Sequence, residues 1–306
     1  MSGLQAHVDE YLRLRRALGF KLTEDERTLG QLVAYLEAAG ASTVITELAV
    51  QWARQPVGVH PNQWAKRLRI ARGFAAYLQT IDPTTEVPPP DIFAHRRQRA
   101  TPYLFSPQDI CRLLQEARRL RHPLRAASYE ALFGLLAVSG MRIGEAIALE
   151  REDVDLDAGV ITIRKPKGDR ARLVPLHPTS TDALRRYASA RDRLCPRPRS
   201  RAFFLSSAGT PVLAESLRKA FREIMTRIGL RTTAVRPRVH DLRHRFAVQT
   251  LIDWQRSGEN IDERITTLST YLGHVSPADT YWYLSASPEL MALAADRLAD
   301  RFESPR

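Results

Sequence analysis

Gly159-Val160-Ile161-Thr162-Ile163-Arg164-Lys165 is rich in β-branched residues and sets apolar Ile161 and Ile163 against polar Thr162 and Arg164 at a period of two, the spacing of a half-buried strand. A Lys167-Gly168-Asp169 turn follows, and Arg172-Leu173-Val174-Pro175-Leu176 supplies the returning strand. On either side of this hairpin the patterning is helical, so this part of the chain is mixed and mainly α. The hairpin also places Lys165 and Lys167 two residues apart, on one face of a strand and near its tip. Such a lysine can reach a ligand in a neighbouring cleft, although lysines that keep strand edges from aggregating are common.

Towards the N-terminus, Leu4, Val8, Tyr11, Leu12 and Leu18 form one amphipathic segment, and Leu29, Leu32, Val33 and Leu36 form a second. Trp64, Leu68, Ala71, Phe74, Ala75 and Leu78 form a third, with Gly40 and the Pro56-to-Pro61 stretch as punctuation. Residues 1–87 are therefore predicted to be a small helical bundle. The run Val87-Pro88-Pro89-Pro90-Asp91 stops helix continuation, and the basic stretch His95-Arg96-Arg97-Gln98-Arg99 follows it. A linker over 88–101 and a second domain over 102–306 complete the predicted organisation.

The 306 residues carry 46 Lys+Arg against 34 Asp+Glu, a net charge of +12, and 41 of the 46 cations are arginine. An excess of that size implies a polyanionic partner, and guanidinium groups suit planar, bidentate recognition of phosphate. The charge is uneven, at +1 for 1–87 and +11 for the remainder. Lys66, Arg67, Arg69 and Arg72 nevertheless cluster on one predicted helix, as either a DNA-contacting face or a solvated basic one. Two cysteines, Cys111 and Cys195, form neither a metal-binding spacing nor a disulfide framework, which points to a reducing cytoplasm. The first residues lack a signal-peptide apolar region, and the longest apolar run, Ala131 to Val138, is far too short to cross a bilayer. Secreted, membrane-spanning, disulfide-stapled and disordered classes are excluded on these grounds.

Three further segments could carry chemistry. In Ser139-Gly140-Met141-Arg142-Ile143-Gly144-Glu145-Ala146-Ile147, Gly140 permits a sharp entry and the apolar residues give a short helix its buried face. Arg142 then sits at the positive end of the helix dipole, which suits an anion site; an exposed Arg142 paired with Glu145 is the plainer reading. In Val239-His240-Asp241-Leu242-Arg243-His244-Arg245-Phe246-Ala247, His240 and Arg243 project together, able to bind a phosphate and move a proton or simply forming a basic surface. In Leu272-Gly273-His274, Gly273 ends a helix, and Ser276-Pro277-Ala278-Asp279 begins another that carries Tyr281, Trp282 and Tyr283. The two tyrosines lie about 200° apart on a helix and cannot share a face.

Taken in order, Arg142, Lys167, His240-x-x-Arg243, Leu272-Gly273-His274 and a tyrosine nine residues further on resemble the tyrosine recombinase (phage integrase, Xer-type) family. The resemblance spans roughly 102–285 and includes the flanking text, SGMRIGEAIAL, KGDRARLVPL and HDLRHRFA. It implies a SAM-like helical core-binding domain followed by an α+β catalytic domain. It also implies site-specific strand exchange through a 3′-phosphotyrosine, with Arg142 and Arg243 clamping the phosphate and His240 assisting the nucleophile. Lys167 is then the general acid, with Lys165 as its alternative in the hairpin. His274 is a phosphate hydrogen-bond donor, and Tyr283 is the nucleophile, with Tyr281 as its rival. No metal, ATP or other cofactor is required by that chemistry. The implied partners are double-stranded DNA with a specific core site, a homotetramer on paired sites, and in some systems accessory recombinases. Ser287-Pro288-Glu289 starts a final helix whose stripe of Leu290, Met291, Ala294, Leu298 and Phe302 either packs on its own domain or inserts into a neighbouring protomer. Type IB topoisomerases share the chemistry, and a non-catalytic DNA-binding regulator could share the fold; a complete catalytic set argues against the second.

Overall fold

In the computed structural model the described residues are 3–93, 101–164, 171–274, 276, 278–285, 289–292 and 295. The chain forms two compact units, 1–99 and 100–306.

The first unit holds α1 (Gly3–Ala17), α2 (Thr23–Ala38), α3 (Thr46–Arg54) and α4 (Pro61–Leu78). Leu4, Val8, Tyr11 and Leu12 of α1 meet Leu29, Leu32, Val33 and Leu36 of α2 in one core with Leu68, Phe74 and Leu78 of α4. The expected segments thus supply the core, with two differences. Leu18 is exposed, because α1 has already ended at Ala17. The short helix α3, not foreseen, adds Ala49, Trp52 and Ala53 to the core. Val87, Ile92 and Phe93 also pack on this unit, Phe93 against the Trp64 ring at 6.1 Å, so the chain after the triple proline still belongs to the first core.

The second unit is built round α6 (Pro123–Ser139), buried on most sides through residues such as Leu132, Phe133, Leu135 and Leu136. Against it pack α5 (Pro107–Arg118), α8 (Pro178–Leu194) and α10 (His240–Arg256). A capping box, Ser106 with Asp109, fixes the start of α5 and satisfies its first free N–H groups. The short α7 (Ile143–Ile147), α9 (Ala214–Arg227), α11 (Ile261–Leu272) and α12 (Ala278–Tyr281) complete the helical set. An antiparallel three-stranded sheet in the order β1 (Val154–Asp155), β2 (Val160–Ile163), β3 (Arg172–Pro175) contains the expected hairpin and one extra short strand. Its register pairs Ile161 with Val174 and Ile163 with Arg172. Leu173 faces solvent, so the pleat turns Arg172 and Val174 inwards together. The architecture is thus mainly helical with one small sheet. No described helix is long and apolar enough to cross a membrane.

Candidate active site

The site assembles where two helices stop. Both α6 and α11 end in a left-handed glycine, Gly140 at φ 59° and Gly273 at φ 67°. A left-handed C-cap halts the helix and leaves its last carbonyls without intrahelical donors, at the negative end of the dipole. Two arginines take those carbonyls. Arg243, in the first turn of α10 and only 2% exposed, donates to Gly140 O at 2.7 Å and to Leu272 O at 2.7 Å. Arg142 caps α7 and donates to Gly273 O at 2.8 Å.

Neither glycine can be replaced without movement. A Cβ at Gly140 would collide with Cδ1 of Phe246, and one at Gly273 would collide with Nη1 of Arg172. At Gly273 the missing side chain is what lets the Arg172 and Arg142 guanidinium groups approach the backbone, and at Gly140 it makes room for the Phe246 ring.

Glu145 orders the cations. One carboxylate oxygen accepts from Arg142 Nη1 at 2.9 Å, and the other from the Arg142 backbone N–H at 2.8 Å and Arg172 Nη2 at 2.9 Å. Burial alone would raise the Glu145 carboxyl, but these donors and the two cations outweigh it and hold the group below its ordinary range. The expected Arg142–Glu145 pair is thus present, and it orients Arg142 without removing it from the site. Three guanidinium groups, Arg142, Arg172 and Arg243, face this one carboxylate, and the surplus of positive charge makes a place for an anion. Burial first, and then the neighbouring Arg142, lower the Arg243 pKa to about 10. Nε of Arg172 is a buried donor with no acceptor among the described residues.

Three histidines border the cations. Burial against the protein, then Arg243, lowers the His240 pKa. Burial and the same arginines bring His274 to about 4, so its imidazole is neutral at neutral pH. His274 follows the Gly273 stop, and its Nδ1 lies 2.7 Å from the Thr280 hydroxyl. With Nδ1 accepting that hydroxyl's proton, Nε2–H is left as a donor for an oxygen in the site. His244, one turn beyond His240 on α10, lies edge-on to it with ring centroids 4.6 Å apart.

Tyr283 is 2% exposed, packs with Leu251 and Leu272, and lies parallel to the His274 ring at 6.2 Å. Tyr281 is 46% exposed. Of these two tyrosines, which cannot share a helix face, the buried one is Tyr283, nine residues after His274. Arg142, His240, Arg243, His274 and Tyr283 are therefore gathered round one point and influence one another electrostatically. Lys167, with its alternative Lys165, lies outside the described residues. Sequence reading missed Arg172, Thr280 and His244 as site residues, and treated Glu145 only as a surface partner. The alternation of β3 was an available signal for Arg172, and the four-residue spacing from His240 was one for His244.

The four basic residues proposed on the first unit all lie on α4, in different settings. Lys66 pairs with Glu24. Arg67 stacks on the Trp52 ring at 4.0 Å and donates to Trp52 O at 3.1 Å. Arg69 is exposed and Arg72 is half-buried. In the second unit Leu290 is buried in its own unit's core, whereas Met291 is exposed. Ala294, Leu298 and Phe302 lie outside the described residues.

A mainly helical unit with a small sheet thus presents arginines, histidines and a tyrosine at one point. The chain belongs to the phage integrase family, whose model matches residues 104–289. It is 44% identical to the integrase/recombinase y4rB of Sinorhizobium fredii over 99% of both chains. It is 26% identical to the tyrosine recombinase XerD of Brucella melitensis over 74% of this chain and 72% of that one. Among solved structures, the Tn1549 transposon integrase in complex with a circular intermediate DNA shares the fold, with a TM-score of 0.65 at 16% identity over 95% and 99% of the two chains. The protein is accordingly a tyrosine recombinase, an enzyme of DNA recombination.

Proposed function

We propose that this recombinase exchanges strands at a specific double-stranded core site through a 3′-phosphotyrosine on Tyr283. The tyrosine attacks the scissile phosphorus as the 5′ oxygen leaves. A phenol with an ordinary pKa near 10 is a weak nucleophile at neutral pH and needs a base or cations beside it. Arg142 and Arg243 stabilise charge on the non-bridging oxygens, with Arg172 and Glu145 fixing the geometry of the pair. His274 donates from Nε2–H to the phosphate. His240 assists at the nucleophile, by proton transfer or by holding it in place, and Lys167 protonates the departing 5′ oxygen. The bond energy is kept in the phosphotyrosine, so neither ATP nor a metal ion enters the scheme.

The observation that carries this reading is the pair of guanidinium groups held on two helix C-termini beside a buried tyrosine. A regulator that only bound DNA would need the cations but not the phenol. Residues 1–87, through the face of α4 that carries exposed Arg69 and half-buried Arg72, act in this scheme as a second DNA-contacting domain joined through 88–101. Homotetramer assembly on two paired sites follows from the two-strand chemistry. The contact solved for the Tn1549 transposon integrase with a circular intermediate DNA supports DNA as the partner here.

A nicked suicide duplex tests the scheme, because loss of the short 5′ fragment traps the covalent adduct. The wild-type protein and Tyr281→Phe form the adduct, and Tyr283→Phe does not while still shifting the duplex in a gel. Adduct formation by Tyr283→Phe together with its loss in Tyr281→Phe moves the nucleophile to Tyr281. A two-site recombination assay then separates strand exchange from topoisomerase-like relaxation.

A further inference from the structure

The hydroxyl proton of Tyr283 needs a destination, and a histidine within hydrogen-bond reach of it is not the one the family pattern marks. Nδ1 of His244 lies 3.3 Å from the Tyr283 hydroxyl. His240 stands behind it, with its ring edge-on to His244 at 87°. The Trp282 ring flanks His244 at 5.3 Å, and the His244 and Tyr283 centroids are 5.5 Å apart. His274 lies parallel to the Tyr283 ring and offers its Nδ1 to Thr280. Both partners of the His244–Tyr283 contact are set by rigid surroundings. His244 sits one turn into the long helix α10, next to Arg243 and its two carbonyl anchors. Tyr283 is enclosed by Leu251 and Leu272 in the same cluster.

We infer that His244 is a catalytic residue that accepts the Tyr283 hydroxyl proton during strand cleavage and returns it on religation. This inference rests on Tyr283 being the nucleophile. In cleavage the Oη–H bond breaks and its proton passes to Nδ1 of neutral His244. The Oη lone pair forms the bond to phosphorus, the bond from phosphorus to the 5′ oxygen breaks, and that oxygen takes a proton from the general acid. In religation the 5′ hydroxyl returns its proton to the general acid and attacks phosphorus, the bond from phosphorus to Oη breaks, and His244 gives its proton back to the tyrosine oxygen. The assignment requires the Nε2–H tautomer of His244, with Nδ1 bare towards the tyrosine. Of the two roles open to His240, it then keeps that of holding the nucleophile's surroundings in place, its edge-on contact steadying the His244 ring.

Asparagine in place of His244 keeps a hydrogen-bonding group near the Nδ1 position but cannot carry a proton away. The probe is a set of nicked duplexes tiled across the DNA adjoining the gene, read in single-turnover adduct formation. His244→Asn should slow the adduct roughly 100-fold, the scale of a lost general base, with gel-shift affinity and melting temperature unchanged. Where the asparagine variant melts early, His244→Gln replaces it. A wild-type rate in His244→Asn, with the loss found instead in His240→Asn, overturns the inference.

A measurement without DNA decides the contact separately. Side-chain 15N spectra of the histidines, with His244 assigned by its disappearance in His244→Asn, should show the Nε2–H tautomer and an Nδ1 resonance that moves in Tyr283→Phe. An Nδ1–H tautomer, or no response to Tyr283→Phe, overturns the inference as well. Failure of the wild-type protein to form any adduct defeats the strand-exchange reading, and the spectra still judge the His244–Tyr283 pair.

Discussion

Arg67 in the first unit and Arg243 in the second both lie on long helices and both lose water on folding, yet their partners differ in kind. Arg67 lies on the face of Trp52 and bonds to Gln31 and the Trp52 carbonyl, all within its own small bundle. Arg243 holds the orphan carbonyls of two helices whose ends come together from distant parts of the chain. In the first case packing uses the cation up. In the second the carbonyls fix the guanidinium while Arg142 and Arg172 crowd it with more like charge than the one Glu145 carboxylate offsets, and a bound anion relieves the remainder. A basic residue in a DNA enzyme is therefore read by what holds it, not by its charge.

The largest expected effect comes from Arg243→Ala. Removing one stabilising donor set from the developing phosphate charge should cut adduct formation by about 1,000-fold. It also leaves Gly140 O without its donor and Leu272 O with only the longer bond from Arg142 at 3.4 Å, costing about 3 kcal/mol in denaturant unfolding. Arg243→Lys restores the charge but cannot fork between two carbonyls, so both deficits should persist in part. A stable, active Arg243→Ala protein would erase the distinction drawn between the two arginines.

Gly273→Ala tests the same corner from the backbone side. The left-handed φ costs an alanine about 1–2 kcal/mol, and its Cβ displaces the Arg172 guanidinium. Misplacing the cation group by even an ångström should slow cleavage by roughly 10- to 100-fold. DNA affinity should change far less, since in the proposed scheme this corner holds only the scissile phosphate. Equal losses in affinity and rate would mean that the cradle binds DNA without being tuned to the reacting phosphate.

Much of this corner was legible in the sequence because its boxes are local. Gly140 before Arg142, His240 three before Arg243, and Gly273 before His274 are all within one helical turn, where spacing and capping rules apply. The strand signal in Gly159–Lys165 was equally local. What was not legible is tertiary. Nothing in either segment says that the C-termini of α6 and α11 meet, and that meeting is what anchors Arg243 and Arg142. Arg172 stayed hidden for a related reason: its inward face depends on the β3 register, and its partner Glu145 is 27 residues away. The helix α3 escaped because nine residues are too few for a convincing period. On α4, charge alone could not separate Arg67, held by an aromatic ring, from the exposed Arg69.

That last pair gives a third test. Arg67→Ala should cost about 1 kcal/mol of stability through the lost ring contact and hydrogen bond, with little change in the salt dependence of DNA binding. Arg69→Ala should do the reverse. Its stability should stay within about 0.5 kcal/mol, while the slope of log K against log salt falls by about one phosphate contact. The reverse outcome would place the DNA face of α4 on its Trp52 side.

The smallest effect is a pH dependence that belongs to the second unit. His274 has a pKa of about 4 in the folded protein, against an ordinary value of 6.5. Between those two values the unfolded chain binds more protons than the folded one, so stability rises with pH across the window and is lost as pH falls from 6.5 towards 4. The full shift would be worth about 3 kcal/mol at 1.36 kcal/mol per unit, but partial solvent access at His274 reduces it to about 1 kcal/mol. His240, also lowered, adds in the same direction. Glutamine at 274 retains a polar side chain near Thr280 and cannot be protonated, so urea midpoints of His274→Gln should fall less between pH 6.5 and 4.5 than those of the wild-type protein. Identical slopes in the two proteins would place the acid sensitivity in the carboxylate pairs, such as Glu24 with Lys66 in the first unit, and not in the neutral histidine beside the arginines.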